Sequence, residues 1–362
     1  MSPDRTADSR VTAVERLMPA AALRAEIPAP PKARTTIREA RRDIQRILNG
    51  KDDRLVLVTG PCSIHDTDAA LAYAERLAEL SRQMSDRLLI VMRVYVEKPR
   101  TRLGWKGLVN DPDMDGSHDV NGGLRMARGL MVEILGTGLP VGCEFLDPML
   151  ARYFSDIVSW ASIGARTVQS QVHRQLTSGL DMPVGIKNAT GGQSIDAIDA
   201  IVTAGEGHVF PSLTDEGKAA VVTTSGNPDC HVVLRGGTEG PNYSAPDVAK
   251  TLDQLKDAGL PERLVIDASH GNSGKDHEEQ ANVVGDVADR IAEGEPGVAG
   301  MMLESNLACG RQDLILGRTD GLAYGQSVTD ACAGWEQTVD MVRRLAEAVT
   351  ARRATGSSVL VA

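Results

Sequence analysis

The stretch LLIVMRVYVEKPRTRLGWKG, residues 88–107, joins an apolar run typical of a buried strand to a cluster of cations. The cluster holds five basic residues and one carboxylate, namely Arg93, Lys98, Arg100, Arg102 and Lys106 with Glu97. It opposes the net charge of −10 of the whole chain, and such a local excess marks a place where anions are held. Arg offers a planar fork to phosphate or carboxylate, and Lys offers a compact charge. The stretch therefore predicts a strand with an anionic-substrate site at its end; a solvated charged turn is the alternative.

Other apolar runs resemble the one at residue 88, and amphipathic stretches separate them. The predicted strands are residues 55–61, 88–95, 139–146, 162–168, 183–188, 208–214, 264–270 and 297–305. Helix-like stretches lie between them at residues 67–84, 121–136, 194–204 and 276–292. Eight such units indicate a parallel sheet with crossover helices, and at 362 residues a (β/α)8 TIM barrel is favoured over an open sheet.

Two segments depart from this repeat. Residues 215–237 contain the runs AAVVTTS and CHVVLRGG joined through GNPD, and the NPD turn chemistry predicts an extra β-hairpin inserted after strand 6. The first 34 residues hold five of the 17 prolines and predict an extended arm with one short helix near residues 11–18. A longer helix follows, with Thr36 and Glu39 as its capping box and Gly50 at its end.

These features divide the chain into three parts. An N-terminal arm and helix occupy residues 1–50, the (β/α)8 catalytic barrel residues 51–350, and a C-terminal tail residues 351–362.

Composition excludes several classes of protein. Apolar residues make up 42% of the chain and charged residues 24%, as in soluble globular proteins, whereas aromatic residues reach only 3%. A sequence pI near 5.3 without a basic stripe argues against nucleic-acid binding. The sequence has neither a membrane-length apolar segment nor a secretory signal, and its five cysteines at irregular spacing do not form a disulfide framework. We therefore expect a cytoplasmic protein with reduced thiols that binds neither membrane nor nucleic acid.

Polar side chains of functional types end nearly every apolar run. They are Cys62, Arg93, Glu144, Arg166, Lys187, His270 and Glu304. The C-terminal strand ends of a TIM barrel and the loops after them build its active site. Each residue alone has a structural explanation, such as a buried thiol for Cys62 or a strand-end histidine for His270. Seven such residues at corresponding positions predict an active site at the barrel mouth.

Three of these residues form a candidate metal site. Cys62, His270 and Glu304 come from strands one, seven and eight, so they can converge at one mouth. A thiol, an imidazole and a carboxylate suit Mn, Fe, Co or Zn better than Mg or Ca. Asp330 is the leading candidate for a fourth ligand, and His65 competes as an alternative ligand.

A second group of strand-end residues is cationic. Its members are Arg93, Lys98, Arg166, Lys187 and Arg235. They predict a site for one phosphate and one carboxylate. Glycines 236 and 237 are expected to let backbone N–H groups approach an oxyanion closely.

The motifs at these strand ends resemble those of the type I DAHP synthase family. They are GPCSIHD, MRVYVEKPRTRLGWKGLVNDPDMDGS, GCEFLD, WASIGARTVQSQVHR, PVGIKNATGG, TTSGNPDCHVVLRGG, IDASHGNSGKDH and MLESNL, and they span roughly residues 40–350. The resemblance implies a metal-dependent transferase on a (β/α)8 barrel. That enzyme condenses phosphoenolpyruvate with D-erythrose 4-phosphate and water, giving 3-deoxy-D-arabino-heptulosonate 7-phosphate and phosphate. This reaction is the first step of the shikimate pathway to chorismate and the aromatic amino acids.

The resemblance also implies roles for individual residues. The implied metal ligands are Cys62, His270, Glu304 and Asp330, with Mn²⁺ expected and Fe²⁺, Co²⁺ or Zn²⁺ as alternatives. The implied contacts of phosphoenolpyruvate are Arg166, Lys187 and Arg235 at its phosphate, Glu144 and Ala165 close by, and Arg93, Lys98 and Lys187 at its carboxylate. Arg100 and Thr101 are the implied clamp on the aldose phosphate. Lys98 is the expected proton donor to the new alkoxide, and an Asp–water pair is the alternative. Cys62 and His270 are taken as catalytic together with Lys98.

The chain departs from the family where relatives bind an aromatic amino acid as inhibitor. Ala151–Arg152 replaces the usual Pro–Gln pair, Asp181 follows SGL, and Glu216 stands where Trp is frequent. We expect an effector pocket whose specificity has changed or been lost. The family also implies homodimers or homotetramers.

Alternative functions come from related and unrelated enzymes. The synthase that uses arabinose 5-phosphate carries K-A-N-R-S or K-A-N-R-T, whereas this chain has Lys98-Pro99-Arg100-Thr101, which favours the four-carbon aldose. A secondary-metabolism homologue that uses an imino analogue of erythrose 4-phosphate stays open. A non-catalytic regulatory homologue is disfavoured by the intact site positions. A metal-dependent class II aldolase would not need five cations for two phosphates and a carboxylate.

Overall fold

The computed structural model describes residues 10–356, and its ten strands follow the apolar runs of the sequence closely. The strands are β1 (Leu55–Gly60), β2 (Leu88–Arg93), β3 (Val141–Glu144), β4 (Trp160–Ile163), β5 (Val184–Lys187), β6 (Val209–Leu213), β7 (Ala219–Thr223), β8 (Cys230–Leu234), β9 (Leu264–Asp267) and β10 (Val298–Glu304). The helices are α1 (Ala20–Glu26), α2 (Pro31–Leu48), α3 (Thr67–Met84), α4 (Val120–Gly136), α5 (Ala151–Phe154), α6 (Gln171–Thr177), α7 (Ile195–Gly205), α8 (Ala245–Asp257), α9 (Gln280–Ala292) and α10 (Trp335–Ala354).

Eight of these strands close into a parallel barrel in the order β1-β10-β9-β8-β5-β4-β3-β2. Such strands read as continuous apolar runs because both of their faces are buried. In β1, Leu55 and Leu57 pack outward against the helices, whereas Val56 and Val58 pack into the barrel interior. The predicted TIM barrel is confirmed.

Helix α2 covers the N-terminal end of the barrel. Its residues Ile44, Ile47 and Leu48 join one apolar cluster with interior side chains of the strands, among them Met302 and the fully buried Trp160. The interior is thus filled below the active-site end, as in other barrels of this type.

The extra hairpin is real, but its predicted position is wrong. Strands β6 and β7 pair only with each other, antiparallel, between the fifth and sixth barrel strands, so the sixth barrel strand is β8 and not residues 208–214. Every residue of β8 is buried, whereas β6 and β7 are half exposed, and Pro211 in β6 suits a strand outside a central sheet. The turn between them contains Gly217 at φ +77°, a weaker signal than the NPD that follows. That NPD leads into β8.

The N-terminal predictions are partly wrong. No helix occupies residues 11–18, and α1 begins at Ala20 instead, while residues 1–9 of the predicted arm lie outside the described part. Helix α2 begins at Pro31, where a proline fits because the first helical N–H needs no partner. Thr36 therefore lies inside the helix, where its hydroxyl donates to the Lys32 carbonyl at 3.3 Å, and it is not a cap. The predicted end at Gly50 is confirmed by its φ of +64° just after the last turn.

Helices α3, α4, α7 and α9 agree with the four amphipathic stretches predicted from the sequence. Helix α3 begins after Asp66, whose Oδ1 accepts the Ala69 N–H at 2.9 Å as an N-cap. The predicted C-terminal tail begins inside α10, which runs to Ala354, and residues 357–362 lie outside the described part. Within residues 10–356, no helix combines the length and apolar character needed to cross a bilayer.

Candidate active site

The site lies at the C-terminal ends of the barrel strands, where a cavity of about 380 Å³ opens. Eight Lys and Arg side chains and two carboxylates line it, a strongly cationic surface in a chain of net charge −10. All nine predicted substrate contacts are in its lining: Arg93, Lys98, Arg100, Thr101, Glu144, Ala165, Arg166, Lys187 and Arg235. A concave, desolvated set of cations holds anions better than the same charges on an open surface.

The deepest of these cations is Arg93, at the end of β2, with 1% of its surface exposed. Its NH2 lies 3.1 Å from Glu304 Oε1, and its guanidinium stacks 3.7 Å from the centre of the Tyr95 ring. These contacts compensate a buried charge and fix the guanidinium plane. Arg93 is therefore preorganised at the floor of the cavity.

Arg166 and Arg235 are among the cavity cations that lack a carboxylate partner at hydrogen-bonding distance within the described residues. Arg166 donates to Thr101 Oγ1 at 2.9 Å, and Arg235 donates to the Gly236 carbonyl at 3.3 Å. Burial, with Arg166 nearby, lowers the pKa of Arg235 although Asp267 opposes the shift. An anionic ligand would relieve this desolvated positive charge.

The glycines beside Arg235 have a different role from the one predicted. The Gly236 N–H donates to Asn242 Oδ1 at 2.7 Å and the Gly237 N–H to the Gly240 carbonyl at 2.9 Å, so neither is free for an oxyanion. A Cβ on Gly236 would meet the backbone of Gly271 at 2.4 Å. These glycines allow two active-site loops to cross closely.

A candidate metal site adjoins the cations. Cys62, Glu304 and Asp330 each offer a ligand atom, and these atoms lie within 4.8 Å of one another. His270 Nε2 lies 3.5 Å from Glu304 Oε1, so the fourth predicted ligand is adjacent. His65, the competing ligand, is not part of the group that the structure brings together. One thiol, one imidazole and two carboxylates at this spacing fit a divalent transition metal.

Lys98 extends its ammonium into this group of ligand atoms. Its Nζ lies 2.7 Å from Cys62 Sγ and 3.0 Å from Asp330 Oδ2. Burial opposes its charge, but the acidic groups around it, Cys62 first among them, raise the pKa of Lys98 above its usual range. Burial likewise raises the pKa of the Cys62 thiol, to about 11, with Glu304 adding to the shift. The ammonium of Lys98 and a divalent ion would thus share the same ligand atoms.

Asp267 and Tyr95 are functional candidates that the sequence analysis did not single out. Asp267 ends β9 and is fully buried; its Oδ2 lies 2.9 Å from His270 Nδ1 and 3.3 Å from Lys187 Nζ. Burial opposes ionisation, but the charges of His270 and Lys187 hold the pKa of Asp267 well below its usual range. The available signal was an acidic residue at the end of an otherwise apolar strand, three positions before His270.

Glu97 lies in the loop after β2, directly before Lys98, and its buried carboxyl group gives a testable pH effect. Burial, and next the charge of Asp147, raise the pKa of Glu97 from 4.5 to about 8. Between these values the folded state holds a proton that the unfolded chain has released, so stability falls as pH rises through this window. Between pH 5 and pH 8, we expect the free energy of unfolding of the wild type to drop further than that of Glu97→Gln, by on the order of a few kcal/mol.

Urea unfolding of both proteins at the two pH values measures this difference. Glu75→Gln, at an exposed position of α3, is the control and should follow the wild type. Parallel pH dependence in the wild type and Glu97→Gln would show that Glu97 is not protonated in the fold.

A second cavity, of about 1130 Å³, is lined by residues of α5, α6 and the hairpin strands β6 and β7. Ala151, Arg152 and Asp181, three of the positions at which the sequence departs from the family it resembles, line this cavity. Glu216, the fourth, stands in the turn between β6 and β7. Arg152 NH1 lies 3.4 Å from Asp215 Oδ1. The predicted change of effector specificity stays a prediction.

With this geometry in place, comparison with known proteins assigns the chain. A model of the DAHP synthetase I family matches residues 29–343. The chain belongs to the DAHP synthetase I family. The Phe-sensitive phospho-2-dehydro-3-deoxyheptonate aldolase of Escherichia coli (strain K12) is 53% identical over 346 residues, which cover 96% of this chain and 98% of that protein. A phospho-2-dehydro-3-deoxyheptonate aldolase of Corynebacterium glutamicum is 48% identical over 354 residues, which cover 96% of this chain and 96% of that protein.

A solved structure agrees with the family in its fold. The phospho-2-dehydro-3-deoxyheptonate aldolase of Francisella tularensis SCHU S4 superposes with a TM-score of 0.92 at 46% identity, over 95% of this chain and 99% of that one. The resemblance drawn from the strand-end motifs is therefore confirmed at the level of family and fold.

Proposed function

We propose that the chain is a 3-deoxy-7-phosphoheptulonate synthase. It condenses phosphoenolpyruvate with D-erythrose 4-phosphate and water, and releases phosphate, as the first step of the shikimate pathway. The observation that carries this proposal is the cavity itself, whose lining holds all nine expected substrate contacts together with Asp330 of the Cys62, Glu304 and Asp330 group. The chain is also about half identical, over nearly its full length, to enzymes named for this product.

Phosphoenolpyruvate carries two anionic groups, and we assign them to two sets of cations. Arg166 and Arg235 hold the phosphate because they bring positive charge without a carboxylate partner at hydrogen-bonding distance, and Lys187 adds a third cation. Arg93 and Lys98, with Lys187, face the carboxylate at the floor. Glu144 and Ala165 line the cavity beside these groups.

The aldose is assigned to the outer part of the same cavity. Arg100 and Thr101 follow Lys98 in the loop after β2 and line the exposed rim, where they clamp the sugar phosphate. Cys62, His270, Glu304 and Asp330 would hold a divalent ion, Mn²⁺ in our proposal, with Fe²⁺, Co²⁺ or Zn²⁺ as alternatives. Such an ion supplies a Lewis acid at the aldehyde oxygen.

The protein then has two tasks in the reaction: it donates a proton to the developing alkoxide, and it stabilises the negative charge of the departing phosphate. Carbon 3 of phosphoenolpyruvate forms a bond to the aldehyde carbon, and Lys98 gives a proton to the oxygen that becomes an alkoxide. Water adds at carbon 2 and releases a proton that balances the one given by Lys98, and the C–O bond to phosphate breaks with its electron pair leaving on the phosphate. Arg166, Lys187 and Arg235 stabilise the departing phosphate, since preorganised cations act most strongly where negative charge develops.

The experiment that tests the function measures inorganic phosphate released from phosphoenolpyruvate. We expect release only when erythrose 4-phosphate is present, loss of release after metal chelation, and recovery when Mn²⁺ is restored. Arabinose 5-phosphate and the imino analogue of erythrose 4-phosphate are the matched alternative substrates. A preference for either would redirect the assignment to the corresponding related synthase, and release without any aldose would contradict a synthase.

The wider organisation of the protein follows from the family. We assign catalysis to the barrel, residues 51–350, with residues 1–50 as an N-terminal arm and helix. A homodimer or homotetramer and a cytoplasmic location stay predictions.

A further inference from the structure

One oxygen of Asp267 contacts both a proposed metal ligand, His270, and a proposed phosphoenolpyruvate ligand, Lys187. This oxygen, Oδ2, lies 2.9 Å from His270 Nδ1 and 3.3 Å from Lys187 Nζ. The oxygen is buried and lacks a well-aligned hydrogen bond within the described residues, so charge holds it in place. The cost of desolvating a buried ion offsets most of what its contacts add to stability. A purely structural role is therefore a weak explanation for Asp267.

The contacts on the His270 side determine which ring nitrogen is available. Ser269 Oγ bonds Asp267 Oδ1, lies 2.8 Å from His270 Nδ1, and so bridges the two residues. The acceptors Asp267 Oδ2 and Ser269 Oγ face Nδ1 and favour a proton on that nitrogen, which would leave Nε2, beside Glu304, to bind a metal ion. His270 also adopts φ +57°, a conformation that non-glycine residues keep only when their surroundings enforce it.

The contact with Lys187 orients a side-chain cation that is proposed to bind phosphoenolpyruvate. Lys187 ends β5 and Asp267 ends β9, with β8 between them in the barrel. The carboxylate therefore reaches across one strand to hold the ammonium at the cavity wall, where 3% of the Lys187 surface is exposed. Without an anion at that position, the four-carbon stem of Lys187 would be free to take other rotamers.

We propose that Asp267 is a positioning residue that serves both half-sites, because it presents His270 Nε2 to the metal and holds Lys187 toward phosphoenolpyruvate. This inference rests on the proposed function. Outer-shell carboxylates of metal-bound histidines typically change metal affinity by about 10–100-fold when removed. The consequence specific to this role is that one substitution at Asp267 weakens the binding of two different ligands, the metal ion and phosphoenolpyruvate.

The test compares Asp267→Asn with Ser269→Ala. In Asp267→Asn we expect Mn²⁺ to bind about 10–100-fold more weakly by titration calorimetry, and the KM for phosphoenolpyruvate to rise as well. Ser269→Ala removes the hydroxyl that bridges Asp267 Oδ1 and His270 Nδ1 and leaves the contacts of Oδ2 with His270 and Lys187. Mn²⁺ affinity should therefore fall less than in Asp267→Asn, while the KM for phosphoenolpyruvate stays at the wild-type value. ¹⁵N spectra of histidine-labelled, metal-free protein should report a single Nδ1-protonated form of His270 in the wild type and a mixture of tautomers in both variants.

Each outcome has a defined consequence. Wild-type protein that binds neither Mn²⁺ nor phosphoenolpyruvate would overturn the proposed function and not this inference alone. A folded Asp267→Asn protein that keeps both affinities within about twofold, against the 10–100-fold loss expected, overturns the inference. If Asp267→Asn does not fold, the ¹⁵N spectrum of the metal-free wild type decides, because a His270 that is not protonated at Nδ1 overturns the inference as well.

Discussion

Replacement of Cys62 by Ala is expected to abolish Mn²⁺ binding at the site and to lower kcat by about 10³-fold. Cys62 supplies the only sulfur ligand in the candidate metal site, and its Sγ lies 3.6 Å from Asp330 Oδ2. A metal acting on a carbonyl contributes several kcal/mol to the transition state, and about 4 kcal/mol corresponds to this loss of rate. Burial of Cys62 leaves little space for water to replace the thiolate.

Titration calorimetry with Mn²⁺ and phosphate release at saturating substrates measure the two effects. Cys309→Ala removes an exposed free thiol instead and should leave both values unchanged. If Cys62→Ala binds Mn²⁺ with wild-type affinity, Cys62 is not a ligand and the site must be rebuilt around His270, Glu304 and Asp330.

The second large effect is expected from Lys98→Met. If Lys98 donates the proton to the alkoxide, kcat at saturating substrates should fall about 10²–10⁴-fold, the usual contribution of general acid catalysis. If it only holds the carboxylate of phosphoenolpyruvate, the KM for that substrate should rise while kcat changes little. Met keeps the length and apolar stem of Lys, so the variant removes chiefly the charge.

Steady-state kinetics with each substrate varied in turn separate these two results. Lys106→Met is the matched control, since the Lys106 side chain is exposed in the same loop. Lys106 contacts Lys98 only through the backbone, because its carbonyl accepts the Lys98 backbone N–H at 2.8 Å. A near-normal kcat in Lys98→Met would remove Lys98 from the proton-transfer step and favour the Asp–water pair.

The sequence predicted the barrel well because apolar runs and strand-end side chains carry independent information. The continuous burial of β1 and β10 makes their apolar runs long and unmistakable, and the residues that end them are polar for chemical reasons. The sixth strand was assigned wrongly because HVFPSLT and CHVVLRGG have similar composition. Only tertiary contacts distinguish a half-exposed hairpin from a strand buried on both faces.

The site could be predicted in its membership but not in its internal contacts. Residues at the ends of barrel strands must converge, so the lining of the cavity followed from topology alone. The pairing of Lys98 with Cys62 and Asp330, and the use of the Gly236 and Gly237 N–H groups inside the protein, depend on loop geometry. Asp267 was overlooked because a buried carboxylate that touches two other functional groups leaves no periodic pattern in the sequence.

The cover that α2 places over the N-terminal end makes the barrel a cup with one opening. Both substrates, the solvent they displace and the phosphate that leaves must pass the same rim. Arg93 lies at the floor of this cup, almost without exposed surface, whereas Arg100 and Thr101 are exposed at its lip. A sugar phosphate held at the lip would block the path to the floor. If phosphoenolpyruvate takes the floor and the aldose the lip, as proposed, the cup fills from the bottom upward, with phosphoenolpyruvate seated before the aldose arrives above it.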